Sequence, residues 1–126
     1  MWMQDIAPTF TLSDDDGQLY GVDFNSKVGG IICYREASNQ FAKPLLAHLD
    51  IPRSSASITT EGGAIEADGH VTLIASESFI LNDNRNPGQT RTQIEAELSR
   101  TLGIQKVLWV PGASRASASP ISTLMP

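Results

Sequence analysis

Residues 90–110, TRTQIEAELSRTLGIQKVLWV, decide the class of this fold. Thr90 followed three positions later by Gln93 has the form of a capping box, in which each side chain accepts a backbone N–H bond from the other residue. Ile94, Leu98 and Leu102 then recur every fourth position as the buried stripe of an amphipathic helix, and Gly103 stops it. Lys106-Val107-Leu108-Trp109-Val110 comes next and reads as a strand. A helix delivered directly into a strand implies strands alternating with helices, so the class is α/β or α+β.

Working outward, residues 7–12 read as a strand, Asp14-Asp15-Asp16-Gly17 as a turn and residues 18–24 as the returning strand, because Asp-Gly between β-formers is a hairpin signal. Residues 56–60 lead into a second hairpin, 64–67 and 71–76, turned at Asp68-Gly69. Between the hairpins, Ala37, Phe41, Leu45 and Leu49 predict a helix over 36–49 that Pro44 must kink or shorten. The halves repeat. Asp16-Gly17 recurs as Asp68-Gly69 and Leu49-Asp50-Ile51 as Leu102-Gly103-Ile104, at offsets of 52 and 53 residues. An acid opens each unit, Asp5 and then Glu61, and radial repetition would aim both at one axis. Two such units cannot close a ring, so the chain is expected to be a piece of a larger pseudo-symmetric domain.

A length of 126 residues allows at most one domain. The formal net charge is -5 and the nine Lys and Arg residues are scattered, which argues against nucleic acid and for a small cationic partner. No apolar run is long enough to span a bilayer, and no membrane partner is expected. Cys33 is alone, so no internal disulfide forms, and Met1 is not followed by a leader pattern; cytoplasmic localisation is the expectation.

The N-terminal stretch Trp2-Met3-Gln4-Asp5-Ile6-Ala7-Pro8-Thr9-Phe10 sets an aromatic ring and a carboxylate three residues apart. A carboxylate accepts two parallel N–H bonds while a ring covers a face, which suits a flat cation such as a guanidinium group. Three further stretches follow in order: Val22-Asp23-Phe24-Asn25, Glu61-Gly62-Gly63-Ala64-Ile65-Glu66-Ala67-Asp68-Gly69, and Leu81-Asn82-Asp83-Asn84-Arg85-Asn86-Pro87. Together they resemble the agmatine deiminase family, related to the bacterial, Porphyromonas-type peptidylarginine deiminases, from Trp2 to about Gly112. The resemblance implies a five-fold pseudo-symmetric α/β propeller, the pentein fold, of which this chain holds about two units. It also implies hydrolysis of guanidinium groups without a cofactor or metal. In that chemistry a cysteine attacks the guanidinium carbon, ammonia leaves, and water releases the ureido product. Asp5 would be one of two carboxylates holding the guanidinium, with Trp2 and Glu61 lining the same pocket. Gln4 departs from the arginine common at that place.

Other residues attract attention without joining the site. Cys33 sits in apolar Ile31-Ile32-Cys33-Tyr34 with no basic neighbour and reads as a core thiol; the family's nucleophile lies near its C-terminus, past the end of this chain. His70, in Asp68-Gly69-His70-Val71, imitates the family's Gly-His-x-Asp segment but has Thr72 in the fourth position. His48 reads as a helix-end residue, Arg85 and its asparagines as a structural loop, and the glycines after Asn25 as marks of close backbone approach.

Residues 1–112 are therefore expected to form a partial deiminase domain, and the Ser-, Ala- and Pro-rich residues 113–126 a non-homologous, disordered tail. A reading-frame slip after Gly112 would explain the change, and translating the other frames past that codon tests it by the appearance of Gly-His-x-Asp. The expected function is that of an agmatine deiminase-like hydrolase on the route to putrescine, truncated and inactive alone. A protein-arginine deiminase fragment and a non-catalytic guanidinium-binding or interaction module are the alternatives. Exposed strand edges predict self-association, against which a sharp monomeric thermal transition would count.

Overall fold

The computed structural model describes residues 3–26 and 41–112. A short helix, α1 (Met3–Ile6), precedes strands β1 (Thr9–Leu12) and β2 (Leu19–Asp23). Helix α2 (Ala42–His48) then returns the chain to β3 (Arg53–Ser55). A 3-10 turn (Gly62–Ala64) leads into β4 (Ile65–Ala67) and β5 (Thr72–Ser76). Helices α3 (Glu77–Ile80) and α4 (Arg91–Leu102) carry the chain to β6 (Lys106–Val110).

The strands form two three-stranded sheets, β1-β2-β3 and β4-β5-β6. In each, the first two strands pair antiparallel and the last two parallel. Leu19 and Thr72 open β2 and β5, Arg53 and Lys106 open β3 and β6, and both pairs are 53 residues apart. The registers differ: Arg53 lies opposite Gly21, whereas Lys106 lies opposite Thr72, two positions earlier by that offset. An even slip leaves every side chain on its own face. One core serves both sheets, since Val22 packs in the same cluster as Leu73, Ile80, Ile94 and Leu98. The far face of the second sheet stays open: Ile74 and Leu108, directly opposite each other, are both exposed.

Both Asp-Gly turns close as the sequence reads. Gly17 and Gly69 have φ of 67° and 81°. The carboxylates before them accept the N–H groups of Gln18 and His70, at 2.9 and 2.8 Å. Those backbone bonds are the main reason that the Asp16 and Asp68 carboxyls lie below their ordinary range.

Two sequence expectations need correction. The predicted helix over 36–49 is, within the described residues, Ala42–His48, with Ala42 and Leu46 buried and Leu49 exposed. Ala37 lies outside the described residues. Pro44 falls in the first turn, where an N–H would have no intrahelical partner, so the ring is accommodated. Rotation of the buried face toward Leu46 follows from Gly21, because a Cβ on β2 there would overlap the Leu46 side chain. The predicted strand over 56–60 is also displaced, to Arg53–Ser55. Residues 57 and 59 give their N–H groups to the side chains of Glu97 and Asn86, at 2.8 and 2.7 Å, rather than to a ladder.

Helix α4 carries the predicted capping box, and Gly103 ends it with φ of 69°. On its buried side Glu97 accepts from Arg100 and from the N–H of Ser57. The Arg100 hydrogen bond first, and the Ser57 N–H after it, outweigh burial and hold the Glu97 carboxyl down at about 2, against an ordinary 4.5. Folding therefore weakens proton binding. The stabilisation is fully present above about pH 4.5 and is lost as pH falls toward 2, on the order of 2 kcal/mol once the half-exposed Arg100 is discounted. Urea unfolding of wild type and Glu97→Gln should show a stability gap at pH 7 that narrows by about that amount near pH 2. A gap independent of pH would exclude this account.

Candidate guanidinium-binding site

Asp5 lies in the short helix α1, and its Oδ1 accepts the N–H of Gly63 at 2.8 Å across 58 residues of sequence. That bond seats the N-terminal turn on the Glu61-Gly62-Gly63 segment. Glu61 enters in extended conformation and its carbonyl accepts the Ala64 N–H at 2.9 Å, closing the 3-10 turn. The glycines are needed for close approach, since neither adopts a positive φ. A Cβ on Gly62 would overlap the Gln4 carbonyl oxygen, and one on Gly63 would sit 2.8 Å from Asp5 Oδ1. Gln4, where the family commonly has arginine, is thus in contact through its backbone.

The Glu61 side chain is 7% exposed and its two oxygens accept from Arg85 Nε at 3.2 and 3.0 Å. The Arg85 guanidinium lies over the Phe79 ring, 5.0 Å from its centroid. Next to it, Asn86 is buried, accepts from Thr59 N–H at 2.7 Å, and donates to the carbonyls of Thr59 and Ile80 at 2.8 and 2.9 Å. Asn82 accepts from the Asn84 N–H at 2.8 Å. The asparagines therefore behave as the sequence reading expects of a structural loop. The Arg85–Glu61 pair is what that reading missed, for nothing local connects residues 24 apart. Asn25, with φ of 53°, donates to the Ala56 carbonyl at 2.7 Å and ties β2's exit to the chain after β3.

Of the residues singled out by sequence, Asp5 on α1 meets the turn that Glu61 opens, through the Gly63 N–H, while the Glu61 carboxylate faces Arg85. Trp2 and Cys33 lie outside the described residues. His70 is exposed in the second hairpin turn and His48 exposed at the end of α2. Among the described residues, an open groove of about 1190 Å³ bordered by Phe10, Leu12, Glu66, His70 and Leu102 includes Gln4 and Gly62 but neither Asp5 nor Glu61. We place the site by the carboxylate geometry, because an open groove between sheet edges fixes no ligand orientation. Among the described residues no cluster of His, Cys, Asp and Glu could hold a metal ion, and no helix is long and apolar enough to cross a membrane.

The fold is similar to that of solved deiminases. Agmatine deiminase of Medicago truncatula is 41% identical over 122 residues, covering 87% of this chain and 33% of the relative. The enzyme of Stutzerimonas stutzeri is 39% identical over 117 residues, covering 87% and 31%. Among solved structures, agmatine deiminase of Enterococcus faecalis superposes with a TM-score of 0.74 at 27% identity, covering 86% of this chain and 31% of that one. The sequence model of the Porphyromonas-type peptidyl-arginine deiminases matches residues 1–119, and the chain belongs to that family. It spans about a third of the length of the curated relatives it matches.

Proposed function

We propose that this chain supplies the guanidinium-gripping wall of an agmatine deiminase-like hydrolase, which converts agmatine to N-carbamoylputrescine and ammonia on the route to putrescine. The observation that carries the reading is the Asp5–Gly63 hydrogen bond. It holds one carboxylate oxygen against the Gly-Gly turn and, among the described residues, leaves Oδ2 and the remaining lone pair of Oδ1 to accept from a planar cation. Trp2, three residues before Asp5, would cover a face of that cation. The relatives named agmatine deiminase, at 41% and 39% identity, favour a small amine over a peptidyl substrate. The common topology of the two sheets supports a further part of the reading, that they are two units of a pentein propeller.

Binding without turnover is the expected behaviour of the chain alone. Turnover needs a nucleophile and a proton carrier at the guanidinium carbon, and neither His48 nor His70 lies on α1 or on the Gly-Gly turn. Titration calorimetry should detect agmatine but not putrescine, which lacks the guanidinium. Asp5→Asn should weaken agmatine binding by about tenfold to a hundredfold, the loss of a charge-assisted grip. Equal affinity for agmatine and putrescine would exclude a guanidinium site. Tighter binding of an N-acylarginine amide than of agmatine would favour the peptidyl-arginine alternative, and ammonia release from agmatine by the purified chain would overturn the binding-only part.

A further inference from the structure

We infer that Arg85 is a positioning residue for the Asp5 carboxylate, acting through Glu61, and that Glu61 is therefore not itself a substrate ligand. The inference rests on the guanidinium site proposed above and assigns roles within it. Glu61 is the one carboxylate on the Gly-Gly turn, and it already holds a guanidinium: that of Arg85, through both oxygens, in a pair whose side chains are 7% and 15% exposed. The Glu61 carboxylate is 7% exposed and already neutralised by this partner, so a second cation reaches it only by displacing Arg85 and leaving it stranded. A buried charge deprived of its partner is costly, so the internal guanidinium keeps its place.

The pair does more than fill space, because Glu61 is the residue that opens the 3-10 turn. Its backbone carbonyl closes the turn on Ala64, its side chain is pinned by Arg85, and the intervening Gly63 N–H is the donor that aims Asp5 Oδ1. Gly62 and Gly63 have no side chains of their own to fix this segment, so its place depends on what holds Glu61. Phe79 backs the Arg85 guanidinium and Asn86 locks the adjoining backbone, which makes Arg85 the fixed end of the relay. Phe79, Arg85, Glu61, Gly63 and Asp5 form one chain of contacts ending at the proposed substrate carboxylate.

Three variants separate a positioning role from a binding one. Glu61→Gln removes the partner charge and should lower stability, but it retains an oxygen that accepts from Arg85 Nε, so in the folded protein agmatine affinity should stay within about threefold of wild type. Arg85→Met removes the fixed end while leaving Glu61 in place, and should weaken agmatine binding by about tenfold through misplacement of Asp5. Asp5→Asn gives the reference loss. If Glu61 were a substrate ligand, Glu61→Gln would fall with Asp5→Asn and Arg85→Met would not weaken binding; either result overturns the inference. A second readout works without ligand, so that a failure of the proposed function is distinguishable. The Gly63 amide proton should be shifted and protected from exchange in wild type and Glu61→Gln, and should lose both in Arg85→Met. The Gln93 amide, bonded to Thr90 in the α4 capping box, reports that the fold is intact. A Gly63 amide unchanged in folded Arg85→Met would also overturn the inference.

Discussion

Gly62→Ala is expected to destabilise the protein by about 3 kcal/mol, the upper end of ordinary overpacking, whereas Gly63→Ala next door should cost about 1 kcal/mol. Both residues are glycine for lack of room, and neither has a backbone conformation that a side chain would strain. They differ in what stands in the way. At Gly62 the obstacle is the backbone carbonyl of Gln4, with the Gln4 carbonyl carbon 3.0 Å from the added Cβ, and a backbone cannot rotate aside. At Gly63 the nearest atom is Asp5 Oδ1, the end of a side chain that can swing away. The first change should lift α1 off the turn. The second should spare the fold and redirect the carboxylate, so Gly63→Ala should lose agmatine affinity out of proportion to its stability. Urea denaturation at neutral pH reads the first effect and calorimetry the second. Equal stability of the two variants would show that α1 is not seated on the Gly-Gly segment.

What the sequence discloses follows the reach of each interaction. Helix α4 and the two Asp-Gly turns are legible because their determinants are neighbours: Thr90 with Gln93, Asp16 with Gln18, Asp68 with His70. The buried face of α2 is not, because Phe41, Leu45 and Leu49 and the alternative pair Ala42 and Leu46 share the same four-residue spacing. Gly21, on another strand, decides between them. Strand β3 escapes detection for the same kind of reason. Arg-Ser-Ser has no strand character, and it pairs because β2 offers a parallel ladder and Asp23 holds Arg53 at 2.9 Å. At the site, Trp2 and Asp5 suggest a cation from local spacing alone. The donor that aims Asp5 lies 58 residues away, and the arginine that occupies Glu61 lies 24 away. The two acids are visible in the sequence, but the partner that each one meets is not, since that depends on which charge meets which in space.

A larger loss is expected at Asn86. Its amide satisfies three buried backbone groups at once: the N–H and carbonyl of Thr59 and the carbonyl of Ile80, the last residue of α3. Alanine leaves one donor and two acceptors without partners in a place where Asn86 is only 4% exposed. At roughly 1 to 3 kcal/mol for each orphaned group, and with incomplete additivity, Asn86→Ala should cost about 4 kcal/mol. Aspartate is the informative second variant. It keeps an acceptor for the Thr59 N–H but turns a carboxylate oxygen toward two carbonyls, so it should be no more stable than alanine despite its matching shape. The consequence runs to the site, because Arg85 is the preceding residue and its guanidinium can hold Glu61 only while this loop is fixed. Loss of Thr59 amide protection should therefore accompany loss of Gly63 protection in Asn86→Ala. Denaturation and amide exchange test both halves: an Asn86→Ala variant within about 1 kcal/mol of wild type would mean that the loop's buried groups find other partners. Gly63 protection that survives in a folded variant whose Thr59 is released would separate the Arg85 relay from the asparagine anchor.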